Sequence, residues 1–570
     1  MATYRIDHEK NKIIISPRGV ADFNVLMQLP ARRWMKRLRV FVVPATRVNC
    51  AHLAASPLVG ELQRDPEVFA YVQDRMVNKT GDRPFPRWYN YKTNPFPDQF
   101  NAIHKAYKND QFALYMRMGS GKSKSAIDLA TAFFYERKID AVVVVCPNAV
   151  KPVWLASDGQ IATHSPCPFL KVDVDSSFEA AMVPTSQSRL TWLVVGVESF
   201  SQGKTFDRLL PFVTTHKCAV IVDESNTIKN YQAIRTKKVI ELGKPAIIRG
   251  VMTGTPITKL LLDLYSQFEF LNPDIIGSGD FYAFRNRYAV MGGFKNKKVV
   301  GYDNIEELMQ LIEPYIYICD KPTGLPDKLF TARFVDLAPE QKEMYRKLRK
   351  AEIPEVSVAN VLNRVAKLQE IVGGFLRADP TRTINPLTGK ERKTQGPIIW
   401  ELPPEKNPKI RELHNLVDEA GDEPRIIWCK FRWELEQVQK AMSAHGPVGQ
   451  LHGDIPMEER TSIIQQFQGG DLRFIVATQQ VGGIGHTMTA AHFMDYYSNT
   501  HSLTDRLQSE DRIHRIGQEN DCLYTDLIAN RTVDELIQES IRDKKDLDVY
   551  VRERMTEASA TLNDLLGGEG

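Results

Sequence analysis

The chain has 570 residues, too many for one hydrophobic core, and its 43% hydrophobic and 25% charged residues exclude a disordered, fibrous or membrane-embedded class. Its 74 Lys+Arg against 70 Asp+Glu leave a net charge of +4, so any nucleic-acid contact has to rest on local patches. Seven cysteines (Cys50, Cys146, Cys167, Cys218, Cys319, Cys429 and Cys522) form no CxxC pair and read as reduced core thiols, neither a zinc site nor a disulfide framework.

No apolar run approaches the roughly 20 residues of a membrane span, and the chain starts Met1-Ala2-Thr3-Tyr4-Arg5-Ile6-Asp7. The expected location is therefore the cytoplasm, with no membrane partner. Residues 1–85 read as a small accessory domain. Within it Arg32, Arg33, Lys36, Arg37 and Arg39 interleave with Trp34 and lead into Phe41-Val42-Val43-Pro44. Two readings stay open for this strip: a track for nucleic-acid phosphates, or the solvated face of a helix-and-strand domain.

Residues 86–277 predict a first α/β lobe with strands at Ala113–Met116, Ala141–Cys146, Trp192–Val197, Ala219–Val222 and Ile247–Met252. All are apolar throughout, as a parallel sheet covered on both faces requires. Met118-Gly119-Ser120-Gly121-Lys122-Ser123 lies between the first strand and a helical run, Ala126 to Tyr135. Glycines there let backbone N–H groups approach phosphates, Lys122 neutralises β/γ charge and Ser123 offers a hydroxyl to magnesium. The full phosphate-loop pattern asks for glycine at Met116, so this segment alone reads equally as a structural glycine turn.

Val220-Ile221-Val222-Asp223-Glu224 tips the balance towards phosphate chemistry. Two carboxylates directly after a buried strand, expected beside the strand of the phosphate loop, suit an Asp that holds magnesium and a Glu that takes a proton from water. An acidic pair capping a helix is the structural alternative.

Residues 278–405 read as mostly helical insertions ending in a polar loop or linker, Asp379 to Pro397. Residues 406–530 predict a second α/β lobe with strands at Arg425–Cys429, Phe474–Ala477 and Phe493–Tyr497 and a helix at Glu434–Ser443, and 531–570 a helical brace with a frayed tail. The predicted fold class is α/β, two lobes with parallel sheets.

The order of these elements resembles the Swi/Snf-like family of superfamily 2 helicases and DNA translocases along most of the chain. Gln99 resembles that family's adenine-reading glutamine, and Cys146-Pro147-Asn148-Ala149-Val150 with Trp154 its strand-end segment against a DNA backbone. Asp223-Glu224-Ser225-Asn226 is similar to its Asp-Glu-Ala-His, with Asn226 replacing the histidine that couples hydrolysis to movement. Thr253-Gly254-Thr255-Pro256 resembles the third motif, whose Thr253 and Thr255 would sense the nucleotide.

In the second lobe, Gly482-Gly483-Ile484-Gly485 and Gln508-Ser509-Glu510-Asp511-Arg512-Ile513-His514-Arg515 resemble the fifth and sixth motifs. The resemblance assigns Gly485 to the nucleotide, Gln480 and Gln508 to coupling or DNA contact, and Arg512 and Arg515 to the γ-phosphate as arginine fingers. Their spacing of three predicts one helical face. Gln480 stands where the family often has arginine, and His501-Ser502-Leu503 replaces its Trp-Asn-Pro, marks of a divergent branch.

What the resemblance implies is two RecA-like lobes closing on ATP and Mg2+, in a monomer that moves along double-stranded or branched DNA. The alternatives are a strand-separating helicase and a catalytically idle DNA-binding scaffold. Lys295, Lys297 and Lys298, and Lys390, Arg392 and Lys393, are candidate DNA-facing loops or plain solvated surface. The Leu29-Pro30, Arg33-Trp34 and Phe41-to-Pro44 segments resemble the accessory domain of annealing helicases, and the compact layout resembles prokaryotic or phage-encoded, nucleoid-associated relatives more than chromatin remodellers.

Overall fold

Strands that are apolar on both faces need helices on both sides, and the computed structural model of the chain meets that need twice, in units spanning Met1–Thr323 and Gly324–Gly570. It describes residues 2–8, 12–29, 32–45, 47–76, 81–179, 188–201, 204–257, 260–277, 280–292, 298–319, 325–353, 356, 361–384, 391–479, 487–515 and 517–543.

The first unit is built on a seven-stranded sheet in the order Ile316–Cys319, Gln111–Met116, Ile248–Thr253, Cys218–Asp223, Ala141–Cys146, Leu190–Gly196, Phe169–Asp173. Every neighbouring pair in it is parallel. Alternate side chains feed two cores: Val143, Val145, Val220 and Val222 on one face, Val142, Val144, Ala219 and Ile221 on the other. The phosphate-loop strand and the Asp-Glu strand are not neighbours, contrary to the sequence expectation. Ile248–Thr253 runs between them, with Thr253 level with Tyr115 and Met252 level with Asp223.

Ahead of this sheet, four antiparallel strands, Thr3–Asp7, Lys12–Ser16, Val40–Pro44 and Arg33–Met35 in that spatial order, form a small separate sheet. Trp34 packs on Phe23 and Phe41 at ring separations of 5.0 and 4.7 Å. The aromatic of the basic strip thus belongs to the local core, while Arg33, Lys36, Arg37 and Arg39 stay exposed.

The second unit has a six-stranded, all-parallel sheet in the order Lys328–Val335, Cys522–Ala529, Phe493–Tyr496, Arg425–Cys429, Phe474–Thr478, Val448–Leu451. The stretch read as mostly helical therefore donates an edge strand to each large sheet, Ile316–Cys319 to the first and Lys328–Val335 to the second. Residues read as a polar loop instead pair as a hairpin, Thr381–Ile384 against Glu391–Thr394. Thr381, Thr383 and Ile384 supply β-branched side chains that favour strand, which the flanking prolines and glycines had masked. Among the described residues no helix is long and apolar enough to cross a membrane, and all seven cysteines are buried.

Inside the second sheet Arg425 donates to Asp495 at 2.6 Å, with both side chains almost completely enclosed. Burial holds the Asp495 carboxyl above the usual carboxylate range against the pull of Arg425. Asp495→Ala is expected to lower unfolding free energy by about 3–5 kcal/mol, because it strands a buried guanidinium. Replacing both partners by apolar residues should recover much of that loss, as read by urea denaturation.

Candidate active site

The site begins where Gln111–Met116 ends. Arg117 to Gly121 turn the chain into the helix Lys122–Tyr135, and Gly119 and Gly121 take left-handed φ values of 77° and 86°. At Gly121 the left-handed φ favours glycine, and a Cβ there would lie 2.1 Å from the Gln99 amide nitrogen and have to displace that amide. Lys122 is buried, and its ammonium donates to the Met116 carbonyl at 2.9 Å. Met116, where the pattern asks for glycine, completes the strand and supplies that carbonyl.

Gln99 sits near the start of the helix Pro97–Ala106 and is 1% exposed. Its amide nitrogen donates to the Ser120 carbonyl at 3.0 Å and its oxygen accepts the Phe96 backbone N–H at 3.1 Å. In this state the residue braces the phosphate loop with both ends of its amide. Ser123 lies in the first turn of the next helix, half-buried.

Asp223 closes the strand Cys218–Asp223 and is 5% exposed. Burial first, then the charge of Glu224, pushes its carboxyl up to about 6; Lys122 pulls the other way. Glu224 has a left-handed backbone, φ 49° and ψ 57°, which costs a residue with a Cβ roughly 1 kcal/mol or more. That turn aims its carboxylate across to the adjacent strand, where the Thr253 hydroxyl donates to it at 3.2 Å.

The contacts continue along the sheet edge. The Thr255 backbone N–H donates to the Thr253 hydroxyl at 3.1 Å, and the Asn226 amide donates to the Thr255 hydroxyl at 3.0 Å. Asn226, in place of histidine, thus keeps a hydrogen bond between the acidic segment and the Thr-Gly-Thr segment. A Cβ on Gly254 would meet the Met118 backbone nitrogen at 3.2 Å, so the same segment lies against the phosphate loop.

Sequence reasoning missed Gln267. From the buried helix Leu264–Leu271 it accepts from the Ser225 hydroxyl at 2.7 Å and donates to the Pro256 carbonyl at 2.8 Å, clamping both segments from behind. A lone amide in the run Leu260-Leu261-Leu262-Asp263-Leu264-Tyr265-Ser266-Gln267-Phe268 was the available signal.

In the second unit the helix Leu503–Glu510 carries Gln508, half-buried, and ends before both arginines. Arg512 and Arg515 therefore lie in the turn beyond it, correcting the expected single helical face. Arg512 is 0% exposed. Arg515 is half-buried, donating to the Asp511 carbonyl at 2.8 Å and to the Thr487 hydroxyl at 3.4 Å. The helix is anchored by Arg506, which donates to Asp526 and Glu510 and lies 3.4 Å over the Tyr496 ring. Gln480 and Gly485 lie outside the described residues, as do Lys295, Lys297 and Lys390. Lys298, Arg392 and Lys393 fall on strands.

A strand–loop–helix grip with its lysine turned inward, and an Asp-Glu pair at the same sheet edge, have the layout by which P-loop proteins hold a nucleotide. Family comparison agrees: residues 104–379 match the SNF2-related domain and residues 408–517 the helicase conserved C-terminal domain. The chain belongs to the SNF2-related, Swi/Snf-like helicase family, and its two parallel-sheet units are the RecA-like lobes of that family.

YwqA of Bacillus subtilis, whose name describes an ATP-dependent helicase/translocase, is 25% identical over 338 residues, covering 58% of this chain and 35% of that protein. A Caenorhabditis elegans homologue of the SWI/SNF-related matrix-associated actin-dependent regulator of chromatin subfamily A-like protein 1 is 23% identical over 561 residues, 95% of this chain and 74% of that protein. The SWI2/SNF2 ATPase core of Sulfolobus solfataricus, solved in complex with dsDNA, aligns at 21% identity and a TM-score of 0.37, covering 86% of this chain and 100% of that one. The chain spans between about a quarter and a third of the first curated relatives it matches.

Thr253→Val removes the hydroxyl that donates to Glu224 and accepts the Thr255 backbone N–H, while keeping Lys122 and the glycines of the phosphate loop. ATP hydrolysis should slow by about tenfold, the worth of one hydrogen bond to a charged group, with the affinity of a fluorescent nucleotide analogue unchanged.

Proposed function

We propose that the chain is an ATP-dependent translocase on double-stranded DNA, hydrolysing ATP to move along a duplex and remodel protein–DNA complexes or branched DNA. The observation that carries the hydrolytic half is the bond from Thr253 to Glu224, which holds a carboxylate at the sheet edge that also bears Lys122 and Asp223. Lys122 leaves the Met116 carbonyl for the β- and γ-phosphates, and backbone N–H groups of Gly119 to Ser123 cradle their oxygens. Gln99 meets the adenine, as the family resemblance implies, and Gly485 belongs to the same nucleotide site.

Asp223 and the Ser123 hydroxyl are the residues that would hold Mg2+. The fit is chemical: a buried carboxylate whose charge burial opposes gains from a nearby cation. Among the described residues no group of three or more His, Cys, Asp or Glu could hold a metal. When bound, that ion supplies charge neutralisation at the transferring phosphate. Glu224 takes the proton of the attacking water, and Arg515 with Arg512 supplies guanidinium charge to the γ-phosphate.

Thr253, Thr255 and Asn226 pass the nucleotide state on, and Gln480 and Gln508 belong to the same coupling or to DNA contact. Support for DNA as track comes from the family resemblance of the segment Cys146 to Trp154 and from the exposed cations of the N-terminal sheet. The name of the Bacillus subtilis relative, helicase/translocase, points the same way. The reading includes a monomer acting in the cytoplasm, at the nucleoid.

Lys122→Ala is expected to abolish DNA-stimulated ATP turnover, and undiminished turnover would remove the phosphate-loop assignment. Arg515→Ala should keep nucleotide binding and slow hydrolysis by at least about 100-fold. Displacement of the third strand from a triplex, without separation of a forked duplex, is the outcome expected of a translocase; the reverse pattern would make it a strand-separating helicase.

A further inference from the structure

Asp223 accepts two hydrogen bonds from the protein. One is local, from the Glu224 backbone N–H to Oδ1 at 3.0 Å. The other comes from 69 residues upstream, where the indole N–H of Trp154 donates to Oδ2 at 3.0 Å.

Trp154 lies on the short helix Lys151–Leu155, just beyond the end of Ala141–Cys146. That strand is the sheet neighbour of Cys218–Asp223, with Val145 level with Val222. The indole is 0% exposed and stacks on Trp192 at 6.2 Å. A large apolar ring would fill the same volume, so packing does not explain a donor at this point. An indole has one N–H and no acceptor, and here that N–H is committed to a carboxylate oxygen.

The segment carrying Trp154 is itself held fast. The Lys151 ammonium pairs with Asp173 at 2.5 Å and Asp175 at 2.8 Å. Asp175 also accepts the Gly196 backbone N–H at 3.1 Å and the Ser199 hydroxyl at 2.7 Å. The Asn148 backbone N–H donates to Glu198 at 3.1 Å. These bonds tie the segment to the ends of two further strands, Phe169–Asp173 and Leu190–Gly196. With one donor on each oxygen, the carboxylate plane of Asp223 is fixed from two directions, and a lone pair on each oxygen remains for a ligand.

We propose that Trp154 is a positioning residue whose indole N–H sets the rotation of the Asp223 carboxylate and ties it to the segment 147–155. It touches neither nucleotide nor metal and acts through Asp223 alone. The inference rests on Asp223 holding the metal ion.

The test uses the full chain loaded with a non-hydrolysable ATP analogue, with Mn2+ as a paramagnetic probe of the cation site read by electron paramagnetic resonance. Trp154→Phe keeps the ring and removes the donor. It is expected to weaken Mn2+ binding by about tenfold, the worth of a hydrogen bond to a charged group, while metal-free analogue binding and thermal melting stay at parent values. Mn2+ affinity within about twofold of the parent overturns the proposal. Asp223→Ala separates the two readings: if it binds Mn2+ like the parent, Asp223 is not the metal residue and both fall. Loss in Asp223→Ala with none in Trp154→Phe overturns only the role of Trp154.

Should Trp154→Phe fail to fold, the parent chain labelled with 15N at its seven indoles gives a second reading. One indole N–H resonance should shift in Asp223→Asn and again when Mg2+ is added to the analogue-loaded parent. An indole spectrum unchanged in both overturns the proposal.

Discussion

Three adjacent strand ends on one parallel sheet set the spacing of the whole site. Gln111–Met116 delivers the phosphate loop, Cys218–Asp223 delivers the two carboxylates, and Ile248–Thr253 lies between them in register with both. Parallel strands point all their carboxyl ends the same way, so three segments distant in sequence meet along one edge. One intervening strand then separates the phosphate-loop strand from the strand of the carboxylates. Thr253 stands on that strand, and its hydroxyl reaches Glu224 while its neighbour Gly254 abuts the loop.

The polar contacts that finish the edge are buried or part-buried, which raises both their value and the cost of breaking them. Gln99 spends its amide on the phosphate loop and on its own helix start. Gln267 joins the acidic segment to the Thr-Gly-Thr segment from behind. Glu224 adopts an unfavourable backbone conformation that is sustained only by such surroundings. A bound nucleotide would compete for several of these groups together, Lys122 and Gln99 first. Departure of Lys122 from the Met116 carbonyl and of Gln99 from the Ser120 carbonyl would loosen the loop where Gly254 touches it. In the function we propose, this is the route by which the nucleotide's presence would reach Thr253 and Thr255.

The lobes were legible in the sequence because their strands are uniformly apolar and their turns carry glycine, proline and acidic residues. Ala141–Cys146 and Arg425–Cys429 have the bounds expected of them. Strand order was not legible, since nothing local to Val220 to Glu224 says which strand lies beside it. Edge strands were missed for a related reason: Lys328–Val335 is largely exposed, and mixed exposure leaves no continuous apolar run. Arginines show the same limit on a smaller scale. Arg506, Arg512 and Arg515 look alike in the chain, yet Arg506 anchors a helix through Asp526, Arg512 is enclosed, and Arg515 remains half-buried. Burial depends on tertiary neighbours, and no spacing rule supplies it. Trp154 was legible as a family-like residue of a strand-end segment, but its bond to Asp223 was not.

We propose that one sheet edge grips a triphosphate through Lys122 and holds its cation through Asp223, and a crystal structure of the chain with a non-hydrolysable ATP analogue and Mg2+ is the decisive measurement. The Lys122 ammonium is expected within hydrogen-bonding distance of the β- and γ-phosphate oxygens and Glu224 still bonded to Thr253, with Ser123 and Asp223 as the residues that would hold the ion. Phosphates bound away from residues 119–123, with Lys122 still on the Met116 carbonyl, would contradict it.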